Sequence, residues 1–125
     1  EFKVSHRTTV KTRFCDLQCL AKASTKVEAK LSVYSEPKEL KYGRIKDRMA
    51  LSDIKPKGWV YTGQVDNEGE LHCDSDDLHA RGHNSLQELE QAYQEEVVSD
   101  WCEYQGYRQQ SRTNEQGELV LEYVR

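Results

Sequence analysis

Apolar residues near the C-terminal end of the chain recur with the period of an α-helix. Between residues 85 and 105 they are spaced by three or four positions, at Leu86, Leu89, Tyr93, Val97 and Trp101. This spacing lines one face of a helix. Ser85 and Glu88 have the spacing of a capping box, and Gly106 is typical of the position after a helix end. We therefore predict a helix over 85–105 whose stripe, Leu86 to Trp101, packs on a sheet.

The first third of the chain combines strand patterns with one short helix. Residues 4–13 are rich in β-branched types and residues 29–34 alternate with a period of two, so both segments predict strands. Asp16 is a good N-cap, and Leu17, Leu20 and Ala21 fall on one side of a helix that follows it.

Two further pairs of strands flank the long helix. Segments 59–65 and 70–74 surround a turn at 66–69, and segments 107–112 and 118–124 surround a similar turn at 114–117. Each turn contains a Gly, which can adopt positive φ in a hairpin loop. We expect the two hairpins to build the sheet under the helix.

Residues 35–58 are the least regular part of the sequence. Pro37, Gly43, Pro56 and Gly58 interrupt them, and we interpret them as a basic loop with a short strand at 42–48. The whole pattern predicts an α+β fold, a two-layer sandwich in which a mainly antiparallel sheet of about five to six strands carries two helices on one face. With 125 residues and 36% apolar content, the chain forms a single domain over 1–125. Residues 1–3 do not contribute to the fold prediction, because Glu1-Phe2 is typical of a cloning scar.

The chain has a net charge of −4, but its two halves carry net charges of opposite sign. Residues 1–58 carry fourteen Lys/Arg and seven Asp/Glu, a net +7, whereas residues 59–125 carry four Arg and fifteen Asp/Glu, a net −11. The halves can attract each other inside one domain, or each can attract a charged partner. The candidate contacts for a basic protein surface lie on the predicted helix: Glu88, Glu95, Glu96, Asp100 and Glu103. The candidate contacts for nucleic acid lie in the basic loop: Lys38, Lys41, Arg44, Lys46, Arg48, Lys55 and Lys57.

A cluster of potential metal ligands follows the first hairpin. It contains His72, Cys73, His79 and His83, together with three Asp. Imidazole and thiolate are zinc ligands, but the spacing matches no established zinc site and the acidic run lacks the order of a calcium loop. A polar loop in which Asp74 or Asp77 caps a turn is the alternative. Cys15, Cys19, Cys73 and Cys102 lack the Cys-x-x-Cys spacing, so small buried side chains are the favoured interpretation over a tetrahedral site.

The sequence favours a binding protein over an enzyme. It has no nucleophile elbow, P-loop or dinucleotide fingerprint, although His6 or His79 could serve as a base. We expect no cofactor. No apolar run approaches the ~20 residues that span a bilayer, so no membrane partner is expected. The visible N-terminus has no signal-peptide pattern, and we expect reduced thiols and a cytoplasmic or plastid-stroma location.

Both ends of the chain resemble one known family. Residues 5–12 read Ser-His-Arg-Thr-Thr-Val-Lys-Thr and lead into Asp16-Leu17-Gln18-Cys19-Leu20, while residues 93–98, Gly106-Tyr107 and 114–124 close the match. They resemble the small family of unknown function called hypothetical chloroplast reading frame thirty-five, found in cyanobacteria, algal plastids, and some bacteria and phages. Arg7 stands where that family has an aromatic residue. The resemblance implies a small domain that works beside other proteins, and it implies no catalytic residue.

From these patterns we expect a non-enzymatic protein-interaction or adaptor domain that binds another protein through its segregated charges. Two alternatives stay open. One is a nucleic-acid-binding module that uses the basic 38–57 segment, and the other is a phage-type inhibitor whose acidic helix binds a basic host surface.

Overall fold

The computed structural model describes residues 7–41, 47–81, 83–106, 108–113, 115–117 and 119–124, which form seven strands and two α-helices. The order along the chain is β1 (Arg7–Val10), α1 (Leu17–Lys26), β2 (Lys30–Glu39), β3 (Met49–Lys55), β4 (Gly63–Asp66), β5 (Leu71–Asp74), α2 (His83–Tyr104), β6 (Arg108–Thr113) and β7 (Leu119–Val124). A π-helical turn, Asp77–Arg81, leads into α2.

Five of the strands form one sheet in the order β1-β5-β4-β3-β2, and every neighbouring pair is antiparallel. The predicted α+β class with an antiparallel sheet is confirmed. Strands β6 and β7 pair with each other in a separate two-stranded sheet. The expectation that the closing hairpin joins the main sheet is therefore wrong.

One apolar core joins both helices to the same face of the sheet. Its members come from α1, from the sheet and from α2: Cys19, Leu20, Ala23, Ile54, Val65, Leu71, Cys73, Leu86, Leu89, Ala92 and Tyr93, with Phe14 and Trp59 from the connections. The rings of Phe14 and Tyr93 lie 5.1 Å apart, within the range of favourable aromatic pairs. The two-layer arrangement follows because each helix buries its apolar side against the sheet.

The two helices begin near the predicted residues, and α1 begins at its predicted cap. The carboxylate of Asp16 accepts hydrogen bonds from the N–H groups of Gln18 and Cys19, as an N-cap does, which confirms the predicted start of α1. Helix α2 spans His83–Tyr104, close to the predicted 85–105. The predicted capping box is wrong, because Ser85 lies inside the helix and its hydroxyl donates to the carbonyl of Lys57 at 2.6 Å.

The apolar stripe of α2 is buried only in part. Leu86, Leu89 and Tyr93 are buried and Val97 packs against the core, but Trp101 is 58% exposed. Each four-residue step turns about 40° further around a helix, so the stripe rotates away from the core along its length. The expectation that Trp101 packs on the sheet is wrong for this reason.

Residues 35–58 contain more regular structure than the predicted loop. Strand β2 continues to Glu39 and β3 occupies Met49–Lys55. The register of β2 shifts between Val33 and Lys38, around Pro37, which is where proline is tolerated on an edge strand. Of the predicted strand at 42–48, residues 42–46 lie outside the described residues.

Two aspartates hold the turns around β5. The carboxylate of Asp77 is buried and accepts the N–H groups of Val60 at 2.8 Å and Tyr61 at 2.7 Å. Asp74 accepts the N–H of Asp76 at 2.8 Å. Asp74 is therefore confirmed as a turn-capping group, whereas Asp77 binds the segment before β4 and does not cap a turn of its own loop.

Candidate functional site

The sheet face opposite the helices carries a row of polar side chains. The strand register places Ser32 beside Asp53, Asp53 beside Gln64, Gln64 beside His72, and His72 beside Thr9. Gln64 and His72 are buried although they point away from the core. A buried polar group is costly unless it is hydrogen-bonded, so the partners of this row decide what it can do.

His72 is the centre of the most extensive set of contacts. Its Nε2 lies 2.7 Å from Oδ2 of Asp66, and its Nδ1 lies 3.1 Å from the hydroxyl of Thr9. The other carboxylate oxygen of Asp66 accepts the N–H groups of Glu68 at 2.8 Å and Glu70 at 3.0 Å. One buried aspartate therefore fixes both the imidazole and the hairpin turn between β4 and β5.

Asp66 carries its negative charge in this environment. Burial by itself raises the pKa of Asp66, but hydrogen bonds from His72 and from the turn N–H groups outweigh it and hold the pKa below its ordinary value. The guanidinium of Arg48 lies 3.2 Å from Asp66, and it also contacts Glu70 and Glu68. An ionised carboxylate can only accept, so the Nε2–H of His72 donates to Asp66.

A second group of polar contacts continues the row toward β2. The hydroxyl of Tyr34 donates to Asp53, and the amide nitrogen of Gln64 lies 3.4 Å from both. Burial and the bond to Asp53 raise the pKa of Tyr34. The N–H of Lys41 donates to Gln64 at 2.9 Å, so the segment after β2 crosses over this face.

The order Thr9–His72–Asp66 has the elements of a nucleophile, a base and an orienting acid. A base must reach the proton it removes from a substrate or nucleophile at an accessible point. His72 is 1% exposed and Asp66 is 0% exposed, and only Thr9 at the sheet edge is open to solvent. The geometry therefore supports a structural role, in which the bonds tie β1 to the β4–β5 hairpin.

The structure does not bring the predicted metal ligands to one point. His72 and Cys73 are successive residues of β5 and so point to opposite faces, His72 to the polar row and Cys73 to the core. Burial raises the pKa of Cys73 to about 12, which keeps the thiol protonated. His79 is exposed, and the side chain of His83 lies outside the described residues.

Another group of possible ligands joins α1 to α2. Among the described residues, Asp16, Cys19 and Asp100 bring a ligand atom each to within 4.8 Å of one another. The thiol of Cys19 donates to Asp100 at 3.3 Å, and burial with the nearby carboxylates raises its pKa to about 12. Lys22 lies 3.6 Å from Asp100 as well. A protonated thiol and an adjacent ammonium explain this cluster as a contact between the helices.

The five acidic residues predicted as a contact surface do not share one environment. Glu96 and Asp100 face α1, where Lys26 lies 2.5 Å from Glu96 and Lys22 contacts Asp100. Glu88 and Glu103 are exposed and Glu95 is half-buried, and none of the three forms an ion pair with a described lysine of α1. Part of the charge segregation is therefore used inside the domain.

The described members of the basic set have different surroundings, and two of them pair with carboxylates. Arg48 binds the carboxylates around Asp66, and Lys57 lies 3.0 Å from Glu28. The ammonium of Lys38 lies 4.4 Å from the ring centre of Tyr34. Lys41 contributes its backbone N–H to Gln64, Lys55 lies in β3, and Arg44 and Lys46 lie outside the described residues.

Exposed apolar side chains collect near the end of α2. Six large apolar residues are exposed in the described part of the chain, and three of them lie here: Val98 at 41%, Trp101 at 58% and Tyr104 at 87%. They recur at every third residue and so follow one side of the helix. Grouped apolar exposure of this kind marks contact surfaces more often than scattered residues do.

A groove of about 450 Å³ lies between the segment after β1 and the first half of α2. Its lining residues are Lys11, Thr12, Arg13, Phe14, Gln87, Glu90, Gln91, Tyr93 and Gln94. Sequence reasoning missed this groove because its walls are about 80 residues apart in the chain.

No family model, curated protein or solved structure matches the chain. The resemblance to hypothetical chloroplast reading frame thirty-five therefore stays a prediction. In the described residues, no helix has the length and apolar content that a bilayer crossing requires.

Proposed function

We propose that this chain is a protein-interaction domain that binds its partner through the exposed end of α2 and acts without catalysis. The observation that carries this proposal is the row of Val98, Trp101 and Tyr104. Large aromatic residues are the side chains that supply most binding energy at protein interfaces. We call these three residues the α2 contact surface.

The charges around the α2 contact surface favour a partner that is apolar at its centre and basic at its rim. Glu95 lies one turn before Val98, and the exposed Glu103 lies in the last turn of α2, next to Tyr104 in the sequence. Rim charges steer association and select partners, although each contributes little affinity. Of the five predicted acidic contact residues, the proposal therefore keeps three: Glu88, Glu95 and Glu103.

The two alternatives have less support. Nucleic-acid binding needs cations that are free to contact phosphate, and Arg48 and Lys57 are paired with carboxylates. A phage-type inhibitor would present a continuous acidic helix, whereas Glu96 and Asp100 already face lysines of α1.

The test is quantitative co-purification from the cells in which the chain naturally occurs. The variant Val98→Ser with Tyr104→Ser removes apolar area from the α2 contact surface. The variant Val33→Ser with Val60→Ser is the matched control, because these two valines are 50% and 49% exposed elsewhere. We expect a partner that the wild-type and control chains recover equally and that the α2 variant recovers at least about tenfold less well. Equal recovery by both variants, each confirmed as folded by circular dichroism, would contradict the proposal.

A further inference from the structure

The groove beside the first half of α2 has two walls of different chemistry. Lys11 and Arg13 form one wall, and both are exposed. Neither side chain forms an ion pair with a described carboxylate, in contrast to Lys22, Lys26 and Lys57. Two cations beside a groove that pair with no carboxylate in the described part of the chain provide a place for an anionic group.

The opposite wall belongs to α2 and consists of carboxamides and one carboxylate. Gln91 and Gln94 are exposed and three positions apart, so they lie on the same side of the helix as the half-buried Glu90. A carboxamide offers both a donor and an acceptor, as a peptide unit does, and a carboxylate accepts only. This wall can therefore hydrogen-bond the N–H and C=O groups of a peptide backbone.

The groove is held in shape by the bonds beneath it. Thr12 and Phe14 alternate with the two cations along the chain, and both are buried. The hydroxyl of Thr12 donates to the carbonyl of Gly69 at 2.7 Å, and the N–H of Phe14 donates to the same carbonyl at 2.9 Å. On the other side, the N–H of Asp16 donates to the hydroxyl of Tyr93 at 2.9 Å. A preformed groove loses less entropy when a ligand binds.

We propose that this groove binds an extended acidic peptide segment, with alternate acidic side chains on Lys11 and Arg13 and the peptide backbone on Gln91 and Gln94. Alternate side chains of an extended peptide lie on one side, roughly 6.5–7 Å apart, and Lys11 and Arg13 are themselves two residues apart in a non-helical segment. The volume falls within the roughly 300–1,000 Å³ of ligand sites. This site is separate from the α2 contact surface and does not depend on it.

Nucleic acid fits the groove less well than a peptide. Its backbone has no N–H groups to donate to the acceptors of the α2 wall. Base stacking needs accessible aromatic faces, whereas Phe14 and Tyr93 are 3% and 4% exposed. Peptide and nucleic acid are therefore distinguishable in one experiment.

The experiment is fluorescence anisotropy at low salt with the whole chain and three labelled probes. These are a ten-residue peptide of alternating Glu and Thr, the same peptide with Gln for Glu, and a ten-residue oligothymidylate. We expect the acidic peptide to bind at least about tenfold more tightly than the neutral peptide, and added salt to weaken it because the charges are screened. Tighter binding of the oligothymidylate than of the acidic peptide would overturn the proposal.

Two pairs of substitutions locate the site. Lys11→Glu with Arg13→Glu should weaken the acidic peptide by about tenfold or more, since two exposed charge pairs become repulsive. Lys30→Glu with Lys55→Glu makes the same change in net charge at the opposite edge of the sheet, where these residues are cross-strand neighbours, and should leave binding within about twofold. The milder Lys11→Gln with Arg13→Gln repeats the test if the first variant unfolds. Equal losses in the groove and control variants would show that net charge alone attracts the peptide, and the proposed site would be wrong.

Discussion

Asp66 is the residue whose replacement should cost the domain the most stability. Its carboxylate binds His72, Arg48 and the N–H groups of Glu68 and Glu70, and its side chain is fully buried. Asp66→Ala leaves the Nε2–H of His72 and two turn N–H groups without their acceptor. Leaving a buried donor without its acceptor costs about 1–3 kcal/mol per group, so the total is a large part of the roughly 5–15 kcal/mol that stabilises a domain.

Substitutions that remove fewer of these hydrogen bonds test whether the lost bonds, and not a general loss of packing, cause the destabilisation. Asp66→Asn keeps an acceptor for the turn but removes the charge, so we expect a smaller cost of about 1–3 kcal/mol. Thr9→Val removes the exposed end of the row and should cost about 1 kcal/mol or less. The assay is urea unfolding followed by circular dichroism, analysed by linear extrapolation. The reasoning is refuted if Asp66→Ala costs less than about 1 kcal/mol, or no more than Thr9→Val.

Three other predictions concern the glycines of the turns, the loss of stability at low pH and the reactivity of the thiols. Gly69 and Gly117 have φ of +83° and +80°, but a Cβ at Gly69 would lie 2.8 Å from Sγ of Cys15 while one at Gly117 would meet nothing within 4 Å. Gly69→Ala should therefore lower the free energy of unfolding by more than Gly117→Ala, which carries only the backbone cost of about 1 kcal/mol; equal losses in urea unfolding would contradict the clash. The lowered pKa of Asp66 means that the unfolded chain binds its proton first, so this stabilisation is present above the ordinary carboxyl pKa and is lost as the pH falls through the folded value. Asp66→Asn should consequently lose less stability on acidification than the wild type, and identical pH profiles would argue against a charged Asp66. Iodoacetamide at pH 8 should modify exposed Cys15 long before Cys19, whose thiol is buried and has a pKa of about 12; peptide mass spectrometry showing equal rates would be inconsistent with that burial.

Local signals in the sequence were sufficient for much of the fold. Asp16 identifies the start of α1 by its capping chemistry, and the turn at 66–69 identifies the β4–β5 hairpin by its glycine. These features depend on a few neighbouring residues, so no tertiary information is needed to predict them.

Strand β3 was missed because its buried positions are chemically unusual. Ala50, Ser52 and Ile54 are buried while Met49 and Leu51 are only half-buried, so two of the three large apolar residues of the strand lie on the less buried side. A hydrophobic alternation is then hard to recognise, and the interruption at Pro37 favours a loop.

Predicting the polar row requires the register of the strands as well as the types of residue. His72 was interpreted as a possible metal ligand, whereas its contacts are Asp66, six residues away, and Thr9, 63 residues away. The pairing around the 66–69 turn places His72 diagonally across from Asp66 on the same face, which was a usable signal. The pairing of β1 with β5 offered no such local signal, and the groove beside α2 depends on it together with the packing of the helices.

The accessibility of Trp101 tests the proposed α2 contact surface most directly. The chain has two tryptophans, Trp59 at 3% exposure and Trp101 at 58%, so acrylamide quenching of the wild type and of Trp101→Phe reports each separately. We predict that Trp101 emission is readily quenched in the isolated domain and becomes protected when the co-purified partner is added, while Trp59 is protected in both. Protection of Trp101 in the isolated domain, or quenching that the partner leaves unchanged, would contradict the account.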